Sequence, residues 1–340
     1  MKPRKFVALA LVTLAAVSLA IVLSLMQSPW GQVTSRGTKL APALTERNVP
    51  ATIAVTSNGA TLTLVSRDAN WSLKERDHYP ADIGKVRTLL VGLAQAELIE
   101  PKTQRPDRHT LLDLEDPTGA DAKSRGLKLL DGKGGVMADL IIGKRRLEAF
   151  GSGRTGSYVR KTGENQTWLS SADLDFSSSV RDWIETTLFE AEAADIRHMR
   201  VEIPGEEALV AERGEEQGAR AAFADMPEGQ KLKDNDAAET LVRALRRIEA
   251  DDVRKSSSIM SGHDVHVVSF KMRDGLEGTM RMRREDGADN FWLQFAVSGE
   301  GDAKARAEEL TNRLSGWEFK LPAGKTNALL KRRAELFEAG

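Results

Sequence analysis

Five histidines, His78, His109, His198, His263 and His266, are the side chains of this 340-residue chain best suited to proton transfer or metal ligation near neutral pH. Only His263 and His266 lie close in sequence. Three residues apart on what reads as a strand, they point to opposite faces, and with Asp264 as the one nearby acid they lack the ligand spacing of a zinc site. The chain has no cysteine, which removes disulfides, thiolate ligands and cysteine nucleophiles together. Gly151-Ser152-Gly153-Arg154-Thr155-Gly156 spells GxGxxG, a pattern that admits a pyrophosphate when it follows a strand and opens a helix. Here it leads into the strand-like SYVRK and reads as a hairpin loop. Gly132-Lys133-Gly134-Gly135 and Gly143-Lys144 lack the spacer and hydroxyl of a phosphate loop, and no serine sits in GxSxG. The sequence therefore presents no nucleotide, cofactor, metal or catalytic set.

Hydrolytic carboxylate pairs come from distant sequence positions, and among 50 Asp and Glu nothing marks two out. The basic runs Lys144-Arg145-Arg146, Arg281 to Arg284 and Lys331-Arg332-Arg333 could meet anionic lipid or an acidic partner. With Glu148, Glu285 and Glu335 beside them they read as solvated faces. Trp71, Trp168, Trp183, Trp292 and Trp317 could stack sugars, but their alternating or helical spacing assigns them to the core.

The positioning framework starts at the N-terminus. Phe6 to Met26 carries no charge, and as a helix it would be about 31 Å long, enough to cross a bilayer core. Lys2, Arg4 and Lys5 precede it while Arg36 is the first basic residue after it, so the positive-inside bias places the N-terminus in the cytoplasm and the rest outside it. The rival reading is a cleaved signal peptide. A cut after Ala20 would leave IVLSLM exposed, and the apolar core is longer than such peptides need, so an uncleaved single-pass anchor is expected. Pro29, Gly31, Ser35, Gly37 and Pro42 mark the residues after the anchor as a linker.

The remainder is globular in composition: 41% hydrophobic, 29% charged and 5% aromatic over the chain. That suffices for two core-bearing domains. A formal net charge of −1 argues against a nucleic-acid partner.

An internal repeat organises these domains. Pro80 to Lys102 and Lys233 to Lys255 align around TLLVGL and TLVRAL, each reading as one amphipathic helix. Val86, Leu89, Leu90 and Leu93, and again Ala238, Leu241, Val242 and Leu245, fall at i, i+3, i+4 and i+7. Asp82 and Asp234 or Asp236 are the expected caps. A hairpin with Asn58-Gly59 precedes the first helix and one with Pro204-Gly205 the second. Paired strands broken at Asp131-Gly132 and Asp274-Gly275 come after them. Each half is an α+β module. Ser177 to Ala191 reads as a connecting helix with Trp183, Ile184 and Leu188 inward. The C-terminal region reads as a polar helix, a Trp317-Phe319-Leu321 strand and a basic terminal helix. The expected division is a basic tip and transmembrane anchor (1–27), a linker (28–43), a first module (44–190), a second (191–322) and a C-terminal helix (323–340).

The ordered set of a "tLtL…W" hairpin, Tyr79-Pro80-Ala81-Asp82 opening a "kvr.LL..La" helix, Leu114-Glu115-Asp116-Pro117, an Ile-Gly-Lys strand end, Tyr158-Val159-Arg160, Gln166 to Leu169, Asp182-Trp183 and Gly316-Trp317-x-Phe-x-Leu-Pro resembles the bacterial family known as domain of unknown function 4340. The resemblance covers most of Ala43 to Leu336. It departs at the acidic, alanine-rich Glu206 to Asp225, where the second hairpin lacks a counterpart of Trp71. The resemblance implies a cell-envelope accessory role beside an ABC-type transport system related to gliding-motility transporters, and it carries no catalytic residues. Two functions of different class remain: a non-catalytic, membrane-tethered periplasmic scaffold or accessory subunit of such a complex, and alternatively an envelope enzyme or glycan-binding module acting on cell-wall polymer.

Overall fold

A computed structural model describes residues 37–338 apart from 69, 152, 217, 225, 227–229, 286, 288 and 289. The expected anchor, Phe6 to Met26, lies outside the described residues. Among those described, no helix is long and apolar enough to cross a membrane.

Alternation of apolar and polar residues builds the first strands. In β1 (Thr52–Ser57) Ile53 and Val55 are buried, and in β2 (Ala60–Arg67) Leu62 and Leu64 face the same core. Asn58 and Gly59 join them with φ of 50° and 73°, the left-handed pair that a tight hairpin needs for its twist to match the strands. Next in the chain are β3 (Asn70–Leu73), β4 (Tyr79–Pro80), helix α1 (Ile83–Gln95) and β5 (Leu98–Pro101). The Asp82 carboxylate caps α1, accepting from Gly84 N (2.8 Å) and Lys85 N (3.3 Å). Val86, Leu89 and Leu93 are buried, whereas Leu90 is half-buried. Strands β6 (Arg125–Leu130), β7 (Val136–Arg146), β8 (Gly156–Lys161) and β9 (Thr167–Ser170) complete a nine-stranded sheet of order β4-β3-β2-β1-β6-β7-β8-β9-β5, in which every pairing is antiparallel.

The second half repeats the plan. Its strands are β11 (Ile196–Glu202), β12 (Leu209–Arg213), β13 (Ala221–Phe223), β15 (Asp252–Lys255), β16 (His266–Met272), β17 (Glu277–Arg284), β18 (Phe291–Ser298) and β19 (Trp317–Leu321), and their order is β13-β12-β11-β16-β17-β18-β19-β15. Matched to β3-β2-β1-β6-β7-β8-β9-β5, the two orders coincide term by term, with β4 as the extra edge of the first sheet. The second sheet carries α2 (Ala237–Arg243) where the first carries α1, and α3 (Lys304–Leu314) packs Ala307, Leu310 and Leu314 inward before β19. The architecture is α+β, mostly antiparallel sheet with few helices.

Several expectations need correction. The second repeat helix is short, because Arg247–Glu249 leaves it as β14 and Asp252–Lys255 as β15, burying Ile248 and Val253 through strand pairing instead. Ala238, Leu241, Val242 and Leu245 are all buried as the spacing requires. Asp236 stands at the α2 cap position without a side-chain cap bond, and Asp234 accepts from its backbone N–H (2.9 Å). Ser177 to Ala191 is not a helix. It holds one 3-10 turn (Val180–Asp182) and β10 (Thr187–Glu190), which pairs with β14 across the two halves. Trp183, Ile184 and Leu188 are inward because this strap is packed on both sides, and the β-branched Thr186-Thr187 run favours extension. The C-terminal region forms two short helices, α4 (Ala323–Leu329) and α5 (Arg333–Leu336), in place of one.

The halves meet along the β3–β4 end of one sheet and the β15–β19 end of the other. Tyr79 places its ring edge against Trp317 (4.8 Å) and Phe319 (6.1 Å). Arg76 forks onto Asp252, and buried apolar residues from both sheets join one core.

Candidate functional site

A cleft of about 610 Å³ opens beside the strap where α1, the segment after β9 and residues 181–186 converge. Asp82 reaches it as the α1 cap, its backbone N–H donating to the Trp183 carbonyl (2.7 Å). Lys85 crosses it to donate to the carbonyls of Arg181 (3.2 Å) and Ile184 (2.7 Å). Trp183 is buried against Phe176, and its Nε1 donates to the Ser177 carbonyl (2.8 Å). Each acid here is already engaged. Arg145 forks onto Asp173 (2.6 Å from each of two nitrogens) and also reaches Asp175 (2.8 Å), which Arg125 contacts at 3.2 Å. Asp182 accepts from Ser177 Oγ (2.6 Å). Arg181 turns outward to Glu249 (3.1 Å) and Asp251 of the second half. Hydrogen bonding to Asp173 raises the Arg145 pKa above its ordinary value, while burial lowers that of Arg125 against the pull of Asp175. The carboxylates here accept from arginines (Asp173, Asp175), from the backbone at the start of α1 (Asp82) and from a serine (Asp182).

A second cleft of about 420 Å³ lies between the loop after β15 and α3. Gln294 clamps that loop, donating from Nε2 to Ser256 Oγ (2.7 Å) and the Ser258 carbonyl while its Oε1 accepts from Met260 N (2.7 Å). Ile259 is left standing out from the loop, 74% exposed. Trp317 lines this cleft under Lys255, whose Nζ lies 4.4 Å from the ring centroid.

The third cleft, about 550 Å³ at the end of the second sheet, joins two basic runs that sequence separates by almost fifty residues. Arg284 comes from β17, Lys331 and Arg332 from the turn between α4 and α5, and His266 from β16. Lys331 is paired to Glu335 (2.9 Å) and Arg332 to Glu206 (3.4 Å). The half-buried His266 ring meets Phe291 edge-on (5.2 Å), and burial pushes its pKa down despite the Asp264 carbonyl.

The other sequence candidates disperse. His263 is exposed in the turn before β16, so the two close histidines do not share a strand. His109 is buried with Nε2 on the Asn165 carbonyl (3.0 Å), and His78 sits exposed in a left-handed turn. Asp116 closes a local turn by accepting from Thr118 N (3.0 Å) and Oγ1 (2.7 Å), which lowers its pKa. Trp168, Trp183 and Trp292 are core residues; Trp71 and Trp317 are partly buried. Of the GxGxxG run, Gly151, Gly153, Arg154 and Thr155 fall between β7 and β8, and Gly156 opens β8. Among the described residues no three His, Asp or Glu gather as metal ligands do.

One buried pair escaped sequence reasoning. Arg213 and Glu239, with side chains 7% and 9% exposed, bond at 2.9 Å. Glu239 also accepts from Ala221 N (3.0 Å), fixing α2 to the β12–β13 edge. A charged residue on the apolar side of α2 is the signal that could have found it.

A family model described as "Domain of unknown function (DUF4340)" matches residues 71–263, more than half of the chain. Comparison with curated proteins and with solved structures gave no match.

Proposed function

This chain belongs to the DUF4340 family, and from that premise we propose that it is a membrane-tethered, non-catalytic periplasmic scaffold or accessory subunit of an ABC-type envelope transport complex. The observation that carries the reading is the state of the cleft beside the strap, where Asp82, Asp173, Asp175 and Asp182 are all spent on caps, arginines or a serine. A group committed to an internal partner is not poised to exchange a proton with substrate. The uncharged Phe6–Met26 run supports a single-pass anchor in a bacterial inner membrane with the C-terminal part periplasmic. The coincident strand orders support two copies of one module, 44–190 and 191–322, between the linker and the C-terminal helices. A tether raises the effective concentration of such modules near a membrane partner, so even weak interfaces become useful.

Affinity purification of the full chain from detergent-solubilised membranes tests this. Recovery of transporter membrane and nucleotide-hydrolysing subunits in fixed proportion is expected. Recovery of the chain alone, together with cell-wall polymer cleavage lost on a single carboxylate substitution that leaves the melting temperature unchanged, would replace the scaffold with the enzyme.

A further inference from the structure

The two halves differ in how β8 and its counterpart β18 reach their next strand. In the first half β8 passes to β9 through a short turn (162–166), and all of Thr167–Ser170 pairs with residues 157–160. In the second, a 3-10 turn (Gly301–Ala303) and α3 stand in place of that turn. β18 and β19 then pair at Phe291↔Leu321, Trp292↔Lys320 and Leu293↔Phe319, while β18 runs on to Ser298. This register would set Trp317 opposite Phe295, but Trp317 is paired instead with Lys255 of β15 on its other side. From this point the sheet is split.

The split presents main-chain groups to whatever enters it. Pro322 has no N–H, so the exchanged hydrogen bonds of the β18–β19 register fall at Phe291 and Leu293. Alternate residues face the same edge, and Phe295 and Val297 therefore turn their amides toward the split, where neither has a strand partner. The Val297 carbonyl accepts from Thr311 Oγ1 at 3.4 Å, the weak limit of such a bond. The cleft of about 420 Å³ described above is this split, with Leu314, Ile259 and Arg281 beside Phe295, Val297 and Trp317. No Asp or Glu is among its described lining residues. Arg281 makes no ion pair among the described residues, and Lys255 has the Trp317 ring but no carboxylate.

We propose that the split is a docking edge for an extended acidic segment of a partner protein, added as a strand beside residues 295–297. Its apolar side chains meet Leu314, Trp317 and Ile259, and its carboxylates meet Arg281 and Lys255. The inference names a contact for the accessory role proposed above and rests on that reading. It explains why Gln294 clamps a loop that holds Ile259 out at the rim of an open strand edge, a feature that proteins ordinarily cover or blunt.

The test is fluorescence anisotropy on the full chain in detergent micelles, with a hexapeptide alternating valine and glutamate, carrying a neutral dye, as the probe. Saturable binding is expected. The valine–lysine counterpart should bind about ten-fold more weakly, and Arg281→Gln should weaken the glutamate peptide about five-fold. A glutamate peptide N-methylated on alternate amides should not bind, because it cannot pair as a strand. Val297→Pro removes an N–H that faces the split and none that pairs with β17, so binding should be lost with little change in melting temperature. If that variant unfolds, the N-methylated peptide carries the same test on the unaltered chain. No saturable binding, or equal binding of the lysine or N-methylated peptide, overturns the docking edge. A dimer that Val297→Pro dissolves assigns the edge to a second copy instead. Transporter subunits that copurify equally with the wild type and Val297→Pro overturn the edge and leave the accessory role standing. Failure to copurify with the wild type, while the glutamate peptide binds as described, supports the edge and overturns the accessory role.

Discussion

Arg76 and Asp252, separated by 176 positions, meet in a two-point ion pair with Nε on Oδ1 at 2.6 Å and NH2 on Oδ2 at 2.9 Å. The pair joins the turn after β3 to the edge strand β15, so it reports directly on whether the halves are docked. Hydrogen bonding to Asp252 raises the Arg76 pKa against the cost of burial.

Because both side chains keep partial contact with water, Arg76→Ala or Asp252→Ala should cost about 1 kcal/mol. A double-mutant cycle read by thermal melting should give a coupling of similar size. A coupling near zero would mean that the pair follows docking without stabilising it.

Glu239 belongs to a stronger pair. Burial alone would raise its pKa, but the Arg213 hydrogen bond, the Ala221 N–H and Arg243 together lower it below the ordinary glutamate value. Its stabilising contribution is therefore present above the unfolded glutamate pKa and lost as pH falls through the lower, folded value. Glu239→Gln leaves Arg213 buried without its counter-charge and should cost roughly 3 kcal/mol at neutral pH. The wild-type and variant melting temperatures should converge in acid; a constant gap would contradict the ion-pair account.

Gly143, half of a Gly-Lys pair that lacks a phosphate loop's spacer, has a packing role instead. A Cβ there would stand 2.1 Å from the Leu112 carbonyl oxygen and 2.8 Å from that of Asp113, and neither backbone atom can swing aside. Gly143→Ala should destabilise by about 3 kcal/mol. Gly132→Ala, where nothing lies within 4 Å, serves as the control, and equal melting of the two variants would refute this packing argument.

Topology is checked with a reporter active only outside the cytoplasm, fused after Gly340. Activity and resistance to carbonate are expected, and a mature protein starting near Ile21 would disprove the anchor. Exporting Trp30 to Gly340 without the apolar run should give a folded protein that complements poorly, whereas His263→Ala, His266→Ala and Asp116→Ala should complement. A stable, correctly placed single mutant with no activity would support an enzyme.

Local chemistry was the legible part of this chain. Asn58-Gly59 announced its hairpin because few other residue pairs tolerate two left-handed positions, and Asp82 announced a cap that the structure bears out. Val86, Leu89 and Leu93 were readable as one buried stripe. The strap was not legible, because Trp183, Ile184 and Leu188 have helical spacing yet are buried by two flanking halves. The end of α2 was hidden for a related reason: Ile248 and Val253 satisfy strand partners, β10 and β19, that only the folded chain supplies. Arg284 and Lys331 were visible as members of basic runs, but their sharing one cleft depends on β17 and the α4–α5 turn converging.

The late-returning edge strands carry a consequence for synthesis. β5 finds its partner in β9, Leu98 with Ser170, and β15 finds its partner in β19, Asp252 with Lys320. In each half an edge strand is made about seventy residues before its neighbour, so sheet closure depends on distant contacts, which form slowly. A chain emerging N-terminus first leaves the β9-facing side of β5 without its partner until Thr167 to Ser170 has emerged, and then repeats the exposure with Asp252 to Lys255. Each interval is an opportunity for self-association or for a chaperone. Slowed elongation between residues 101 and 167 should therefore increase aggregation more than the same delay placed after Leu321, when both sheets can close.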